Sequence, residues 1–111
     1  MAEPALGTVD TLPPDWEVTR LATVLGAHLT DLRARYGLES VALFGSYVRN
    51  EQRPDSDLDV LVTFSRRLGM FDLIHAEDDL KERLGVPVDL VLRSELGPRI
   101  LRYVLREAVV V

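Results

Sequence analysis

Stretches with helical spacing alternate in this chain with three short apolar runs, and this alternation most constrains the fold. In the first stretch, apolar residues recur every three or four positions before Gly37, which is a typical residue after the end of a helix; they are Val18, Leu21, Ala22, Leu25, Leu29, Leu32 and Tyr36. The same spacing predicts helices over Met70–Leu84 and residues 96–105. The apolar runs predict strands over residues 40–44, 58–63 and 86–92.

The order of these elements predicts an α/β or α+β fold. A short helix is expected over residues 46–50, between the first two strands. The connection between these strands is only moderately long, so we expect a small mixed sheet, backed by helices on one face. A chain of 111 residues is the size of one domain. Residues 1–14 contain three prolines and no apolar periodicity, which predicts a flexible leader before a single domain over residues 15–111.

Composition and charge exclude several classes of protein. The net charge of −5 argues against a protein that coats nucleic acid or an anionic membrane through bulk positive potential. The absence of cysteine excludes disulfides, thiolate metal sites and a cysteine nucleophile. No apolar run is long enough for a signal peptide or a membrane-spanning helix. We therefore expect a cytoplasmic protein whose metal ligands, if it has any, are oxygen atoms or histidines.

Three carboxylates occupy strand positions where solvated charge is unusual. Asp57 and Asp59 lie two residues apart at the start of the second strand, and Asp89 interrupts the third. Residues two apart on a strand project from the same face, so Asp57 and Asp59 can converge on one or two ions, and Asp89 can join them from a neighbouring strand. An all-carboxylate set suits Mg²⁺ or Mn²⁺ and suits Zn²⁺ poorly.

A second pattern, Phe44-Gly45-Ser46, predicts a phosphate-binding turn at the end of the first strand. Backbone N–H groups and the Ser46 hydroxyl can bind phosphate oxygens, Gly45 allows close approach, and Arg49 can add a charge-assisted contact. An acidic turn or a simple Gly-Ser turn would each be ordinary if it stood alone. Together, a carboxylate set and a phosphate-binding turn indicate phosphoryl-group chemistry.

These residues resemble a known family. Gly45-Ser46, ten intervening residues and Asp57-Leu58-Asp59 reproduce the G-S-x10-D-x-D signature of the DNA polymerase beta superfamily, and the surrounding sequence looks like its minimal nucleotidyltransferases, called MNT proteins. The resemblance implies a polymerase-beta-type nucleotidyltransferase fold and two Mg²⁺ ions. It implies that Asp57 and Asp59 bind both ions and that Asp89 binds the ion that activates the attacking hydroxyl. It also implies phosphate binding by Gly45, Ser46, Arg49 and Ser56.

The resemblance further implies a partner. Similar minimal proteins act as antitoxins of HEPN ribonuclease toxins and transfer AMP from ATP onto a toxin tyrosine. We therefore expect a Mg²⁺-dependent adenylyltransferase with ATP as substrate and a HEPN-type toxin as partner, without nucleic-acid or membrane binding. The alternative is a binding module that neutralises its partner by occlusion, with little or no turnover. The nucleotide, the acceptor, the number of groups transferred and the oligomeric state are left open by the sequence.

Two residues depart from the family pattern. Asn50 stands where the family usually has glycine after the arginine, and Tyr47 replaces a small or basic residue. Asparagine tolerates left-handed backbone angles better than most residues, so we expect the turn to be kept. Tyr47 either narrows the nucleotide pocket or packs inward.

Overall fold

The computed structural model describes residues 6–111, which form one mixed sheet and three α-helices. The strands are β1 (Gly7–Thr8), β2 (Leu38–Phe44), β3 (Leu58–Phe64), β4 (Val88–Leu92) and β5 (Val109–Val110). The helices are α1 (Glu17–Tyr36), α2 (Met70–Leu84) and α3 (Pro98–Leu105), and short 3₁₀ turns span Val9–Thr11 and Arg93–Glu95. The three long helices and three main strands predicted from the sequence are therefore present.

The strand order in the sheet is β1-β5-β2-β3-β4. β2 pairs antiparallel with both β3 and β5, whereas β3 pairs parallel with β4 and β1 pairs parallel with β5. The parallel pair is joined through α2, as expected for a crossover connection. The prediction of a small mixed sheet in an α+β fold is thus confirmed.

Helices cover both faces of the sheet, so the prediction that they back one face is wrong. On one face α1 and α2 pack against residues such as Leu43 and Val60. On the other face Val104 and Leu105 of α3 pack against Ala42 and Leu61. The central strands carry apolar residues at consecutive positions, and a strand that is apolar on both sides needs a partner on each. The Asp59 side of β3 is the α3 side, because Leu61 lies two residues further along the strand.

Several local features differ from the sequence prediction, and one is the start of β2 at Leu38, two residues earlier than predicted. Residues 46–50 form consecutive turns instead of a short helix, because the segment is bounded by left-handed residues, Gly45 and Asn50, which interrupt helical geometry. β4 begins at Val88, two residues later than predicted. α3 begins at Pro98, since proline favours the first turn of a helix, and a 3₁₀ turn takes up the preceding residues.

The N-terminal segment joins the sheet within the predicted leader. Gly7–Thr8 pairs with β5, and Val9 and Leu12 pack against the core formed by α1 and α2. Residues 1–5 of that leader lie outside the described residues, and its flexibility stays a prediction. Val109 lies in the core, and β5 is hydrogen-bonded between β1 and β2.

Across residues 6–111, no helix has both the length and the apolar character needed to cross a membrane.

Candidate active site

The structure brings the three predicted carboxylates to one end of the β3–β4 pair. Asp59 and Asp89 are direct partners in the parallel register of these strands, and Phe44 at the end of β2 is the partner of Asp59 on its other side. Asp57 immediately precedes β3. Asp57 and Asp89 are exposed, whereas Asp59 is partly buried. The parallel pairing of β3 with β4 thus places Asp89 beside Asp59, and Asp57 lies in the loop that leads into β3.

Burial, together with the crowding of negative charge, raises the pKa of the Asp59 carboxyl to about 6. Burial is the largest cause, followed by the charges of Asp89, Asp57 and Glu107, while Arg49 opposes the shift. Burial and neighbouring carboxylates both disfavour the ionised form. A cation beside Asp59 would relieve this repulsion, so the electrostatics of the cluster fit a divalent metal ion.

The side chains of residues 6–111 do not hold any three His, Asp or Glu groups in an arrangement that could bind a metal. Asp57 and Asp89 are exposed and can therefore turn without disturbing the core. Mg²⁺ commonly binds one or two carboxylates and completes its shell with water and substrate phosphates. The donor set of this cluster fits such an ion when it arrives with a phosphate-bearing substrate.

Gly45 is required at its position for two independent reasons. Its φ of +84° lies in the left-handed region. A Cβ atom on this residue would lie 2.0 Å from Oδ2 of Asp59 and 3.0 Å from its Cγ. Only a residue without a side chain can therefore follow β2 here while the Asp59 carboxylate keeps its position.

The turn after Gly45 has backbone donors available for an anion. The N–H of Val48 donates to the Gly45 carbonyl at 3.1 Å, and the N–H of Glu51 donates to the Ser46 carbonyl at 2.9 Å. Within residues 6–111, the N–H groups of Ser46 and Tyr47 and the Ser46 hydroxyl have no hydrogen-bond partner. Successive unpaired N–H groups in a turn are a common element of anion-binding sites.

A fourth carboxylate, Glu107, belongs to the cluster and was missed by the sequence prediction. Its Oε1 accepts a hydrogen bond from the Gly45 N–H at 2.9 Å. Nη1 of Arg49 donates to Oε1 at 3.0 Å and to Oε2 at 2.8 Å. The sequence offered one signal, since Arg106-Glu107-Ala108-Val109 also resembles the closing segment of the minimal nucleotidyltransferases. The Gly45 N–H already donates to Glu107, so it is not available to a phosphate. The need for glycine here is therefore explained by the close approach of Asp59 rather than by phosphate binding at this N–H.

Ser56 lies in the loop before β3 and is hydrogen-bonded to Arg53 of the same loop. Its hydroxyl accepts a hydrogen bond from the Arg53 N–H at 2.8 Å, and its own N–H donates to the Arg53 carbonyl at 3.0 Å. These bonds close the turn that leads into Asp57. Ser56 thus lies beside the carboxylates, with its hydroxyl already engaged by the backbone.

Comparison with known proteins assigns the chain to a family. The family model of the nucleotidyltransferase domain matches residues 25–111, which include every site residue described above. The chain belongs to the nucleotidyltransferase family. The resemblance seen in the sequence is thereby confirmed, and the protein is an enzyme of the nucleotidyl-transferring class.

Individual relatives agree with this assignment. The nucleotidyltransferase is 43% identical over 91 residues to protein adenylyltransferase MntA of Thermococcus cleftensis, covering 82% of this chain and 92% of that protein. A solved structure described as a minimal nucleotidyltransferase is 37% identical, with a TM-score of 0.64, and the match covers 95% of this chain and 97% of that one. The fold is also shared, at 21% identity and a TM-score of 0.60, with a chain of the tri-AMPylated Shewanella oneidensis HEPN toxin in complex with MNT antitoxin; the match covers 81% of this chain and 70% of that one.

Both departures from the family pattern are accommodated in this nucleotidyltransferase. Asn50 adopts a φ of +58°, so the left-handed turn is kept, as expected. Tyr47 is only 5% exposed and packs in the core with α1, so the inward alternative is the correct one. Its burial is the main cause of the raised pKa of the phenol.

One cavity of the described part of the chain lies away from the carboxylates. It has a volume of about 870 Å³ and lies at the far end of β3, where Phe64, Arg66 and Met70 contribute to its lining. Asp57 and Asp89 are exposed, so a bulky acceptor can approach this side of the carboxylate cluster from solvent.

Proposed function

We propose that this protein is a cytoplasmic Mg²⁺-dependent adenylyltransferase that transfers AMP from ATP onto a hydroxyl of a partner protein. The similarity to protein adenylyltransferase MntA supports the reaction. The shared fold with the complex of an AMPylated HEPN toxin and MNT antitoxin is consistent with the same biology. The proposed acceptor is a tyrosine of a HEPN-type toxin, and the protein acts as its antitoxin.

The observation that carries this proposal is the pairing of Asp59 with Asp89 beside Gly45, the glycine that follows β2. Asp57 and Asp59 would hold both Mg²⁺ ions, and Asp89 would hold the ion nearer the acceptor hydroxyl. When bound, Mg²⁺ neutralises phosphate charge and stabilises the entering and departing oxygens. The three carboxylates are therefore the proposed catalytic residues and metal ligands.

The phosphate-binding part of the proposal involves the turn after β2. The β- and γ-phosphates would accept hydrogen bonds from the Ser46 and Tyr47 N–H groups and the Ser46 hydroxyl, and Arg49 would add a charged contact. Gly45 lets this turn pass close to Asp59. Ser56 would assist by fixing the loop before Asp57 through its bond with the Arg53 N–H.

The proposed reaction is an in-line displacement at the α-phosphorus. The acceptor oxygen forms a bond to this phosphorus as the bridging bond to the β-phosphate breaks, and pyrophosphate leaves. The acceptor hydroxyl proton is released as the new ester forms. Most of the catalysis comes from positioning and electrostatic stabilisation, which the carboxylates and the turn supply.

To test this proposal, the protein is incubated with Mg²⁺ and a cell lysate of the organism that produces it. One sample contains ATP labelled at the α-phosphate, and a second contains ATP labelled at the γ-phosphate. We expect a macromolecule to retain label from α-labelled ATP only. Asp57→Asn should abolish this transfer, whereas Asp55→Asn, at an exposed acid two residues earlier, should preserve it. Equal transfer by Asp57→Asn and wild type would refute the assignment of the carboxylates.

A partner that is neutralised without retaining label would instead support occlusion. This second outcome requires a separate measurement, in which the purified partner's toxicity or nuclease activity is assayed with wild type and with Asp57→Asn. Equal neutralisation by both proteins would show that transfer is not needed, and the adenylyltransferase proposal would fail as an account of antitoxin action.

A further inference from the structure

The carboxylate of Glu107 contacts two parts of the proposed phosphate-binding turn at once. We propose that Glu107 is a positioning residue, which fixes the direction of the Arg49 guanidinium and the backbone at Gly45 so that ATP meets a preformed turn. This inference rests on the proposed function, since it concerns the nucleotide subsite of the same reaction.

Glu107 links residues that are far apart in the chain. Its Oε1 accepts from the Gly45 N–H at 2.9 Å and from Arg49 Nη1 at 3.0 Å, and its Oε2 accepts from Arg49 Nη1 at 2.8 Å. The Arg49 side chain is 45% exposed, whereas that of Glu107 is 24% exposed. The better-buried partner thus restrains the more exposed one, which would otherwise sample many rotamers.

The backbone around Glu107 is itself well held. Its N–H donates to the Val104 carbonyl at 3.2 Å, and the following Ala108 N–H donates to the same carbonyl at 3.0 Å. Ala108 and Val109 are buried, and Val109 pairs with Leu43 of β2, two residues before Gly45. The junction of α3 and β5 is therefore fixed against the strand that ends at the phosphate-binding turn.

The contacts of Glu107 leave donors for an anion. The carboxylate uses only Nη1 of Arg49, and within residues 6–111 Nη2 has no hydrogen-bond partner. The N–H groups of Ser46 and Tyr47 are also unpaired there. Glu107 therefore orients the arginine without consuming all of its donors, which favours positioning over competition with the triphosphate. A group held in advance in its bound geometry loses less entropy on binding.

The experiment measures the affinity of a non-hydrolysable ATP analogue with Mg²⁺ by calorimetry in wild type, Glu107→Ala and Glu107→Gln. We expect Glu107→Ala to weaken binding about tenfold, because Arg49 and the Gly45 N–H lose a charge-assisted partner. Glu107→Gln should retain more of the affinity, since its amide oxygen can still accept both hydrogen bonds. The matched control is Glu51→Gln, which alters the other carboxylate near Arg49, at 3.5 Å, and should leave affinity unchanged.

A double-mutant comparison separates positioning from a general effect on the fold. If Glu107 acts through Arg49, Glu107→Ala should weaken binding much less in an Arg49→Gln background than in wild type. Thermal melting of each variant shows whether it is folded at the assay temperature. If Glu107→Ala is unfolded there, the affinity of Glu107→Gln for the analogue is compared in the wild-type and Arg49→Gln backgrounds instead.

Unchanged or tighter binding by folded Glu107→Ala, or a full additional loss in the Arg49→Gln background, would overturn the inference. Failure of the proposed function would be recognised separately, because wild type itself would then bind no analogue or transfer no label.

Discussion

Replacing Gly45 with alanine should damage both stability and catalysis. The alanine would have to adopt a φ of +84°, and its Cβ would lie 2.0 Å from Oδ2 of Asp59. Left-handed geometry costs an alanine about 1–2 kcal/mol, and forcing Asp59 away from its rotamer costs about 1 kcal/mol more. The expected loss in the free energy of unfolding is therefore about 2–3 kcal/mol. For a domain of this size, that corresponds to a melting temperature lower by roughly 10–20 °C.

Gly85 provides a matched control for this substitution. It has a φ of +72°, but a Cβ there would meet no atom within 4 Å. Gly85→Ala should therefore show only the backbone cost of about 1–2 kcal/mol. The difference between the two variants, measured by urea denaturation of the metal-free proteins, isolates the collision with Asp59.

The activity of Gly45→Ala gives a second readout. Because displacement of a reacting group by about 1 Å can cost on the order of 100-fold in rate, we expect transfer to fall by at least tenfold even where the variant is folded. In an Asp59→Ala background, the stability cost of Gly45→Ala should fall towards that of Gly85→Ala. Two results together would refute a collision with Asp59: an equal loss in the free energy of unfolding for Gly45→Ala and Gly85→Ala in wild type, and full transfer by Gly45→Ala.

Asp59, Arg83 and Tyr47 each provide a further test. The pKa of Asp59 is raised from 3.8 to about 6, so between these pH values the folded protein binds more protons than the unfolded chain. The contribution of Asp59 to stability should therefore fall as the pH rises from about 4 to about 6, and denaturation of metal-free Asp59→Asn should lack this component. Arg83→Met should lower the free energy of unfolding by about 2–3 kcal/mol in urea denaturation, because the Arg83 side chain is only 14% exposed and donates to Asp79 at 2.7 Å. The control Arg35→Met, which removes an exposed ion pair with Asp31, should lower it by less than about 1 kcal/mol. Tyr47→Phe should leave thermal stability and transfer nearly unchanged, since the ring packs in the core and its hydroxyl has no hydrogen-bond partner within residues 6–111; a large loss of transfer would place the hydroxyl in the site.

Features with a local or periodic cause could be predicted from the sequence. Helical spacing indicated α1 and α2, and the apolar run that begins at Leu58 indicated β3, which carries Asp59. The parallel pairing of β3 and β4 through α2 then brings Asp89 opposite Asp59. The left-handed turn at Asn50 was also predictable, because few residues tolerate that backbone geometry.

Features that depend on distant contacts could not be predicted in the same way. The position of α3 on the second face depends on its packing against Ala42 and Leu61, which no local pattern specifies. Glu107 reaches Gly45 across 62 positions of the chain, so its place in the site required the pairing of β5 with β2. The short helix predicted over residues 46–50 was wrong because two left-handed residues outweigh the propensity of a short segment.

The central claim is that Asp57, Asp59 and Asp89 act together as ligands for divalent ions that accompany a nucleotide. The most direct test is a titration with paramagnetic Mn²⁺ in the presence of a non-hydrolysable ATP analogue, observed by electron paramagnetic resonance. We predict that wild type and Asp55→Asn bind the ions, that Asp57→Asn and Asp59→Asn lose this binding, and that Asp89→Asn loses one ion. Wild-type binding in Asp57→Asn and Asp59→Asn would contradict the account.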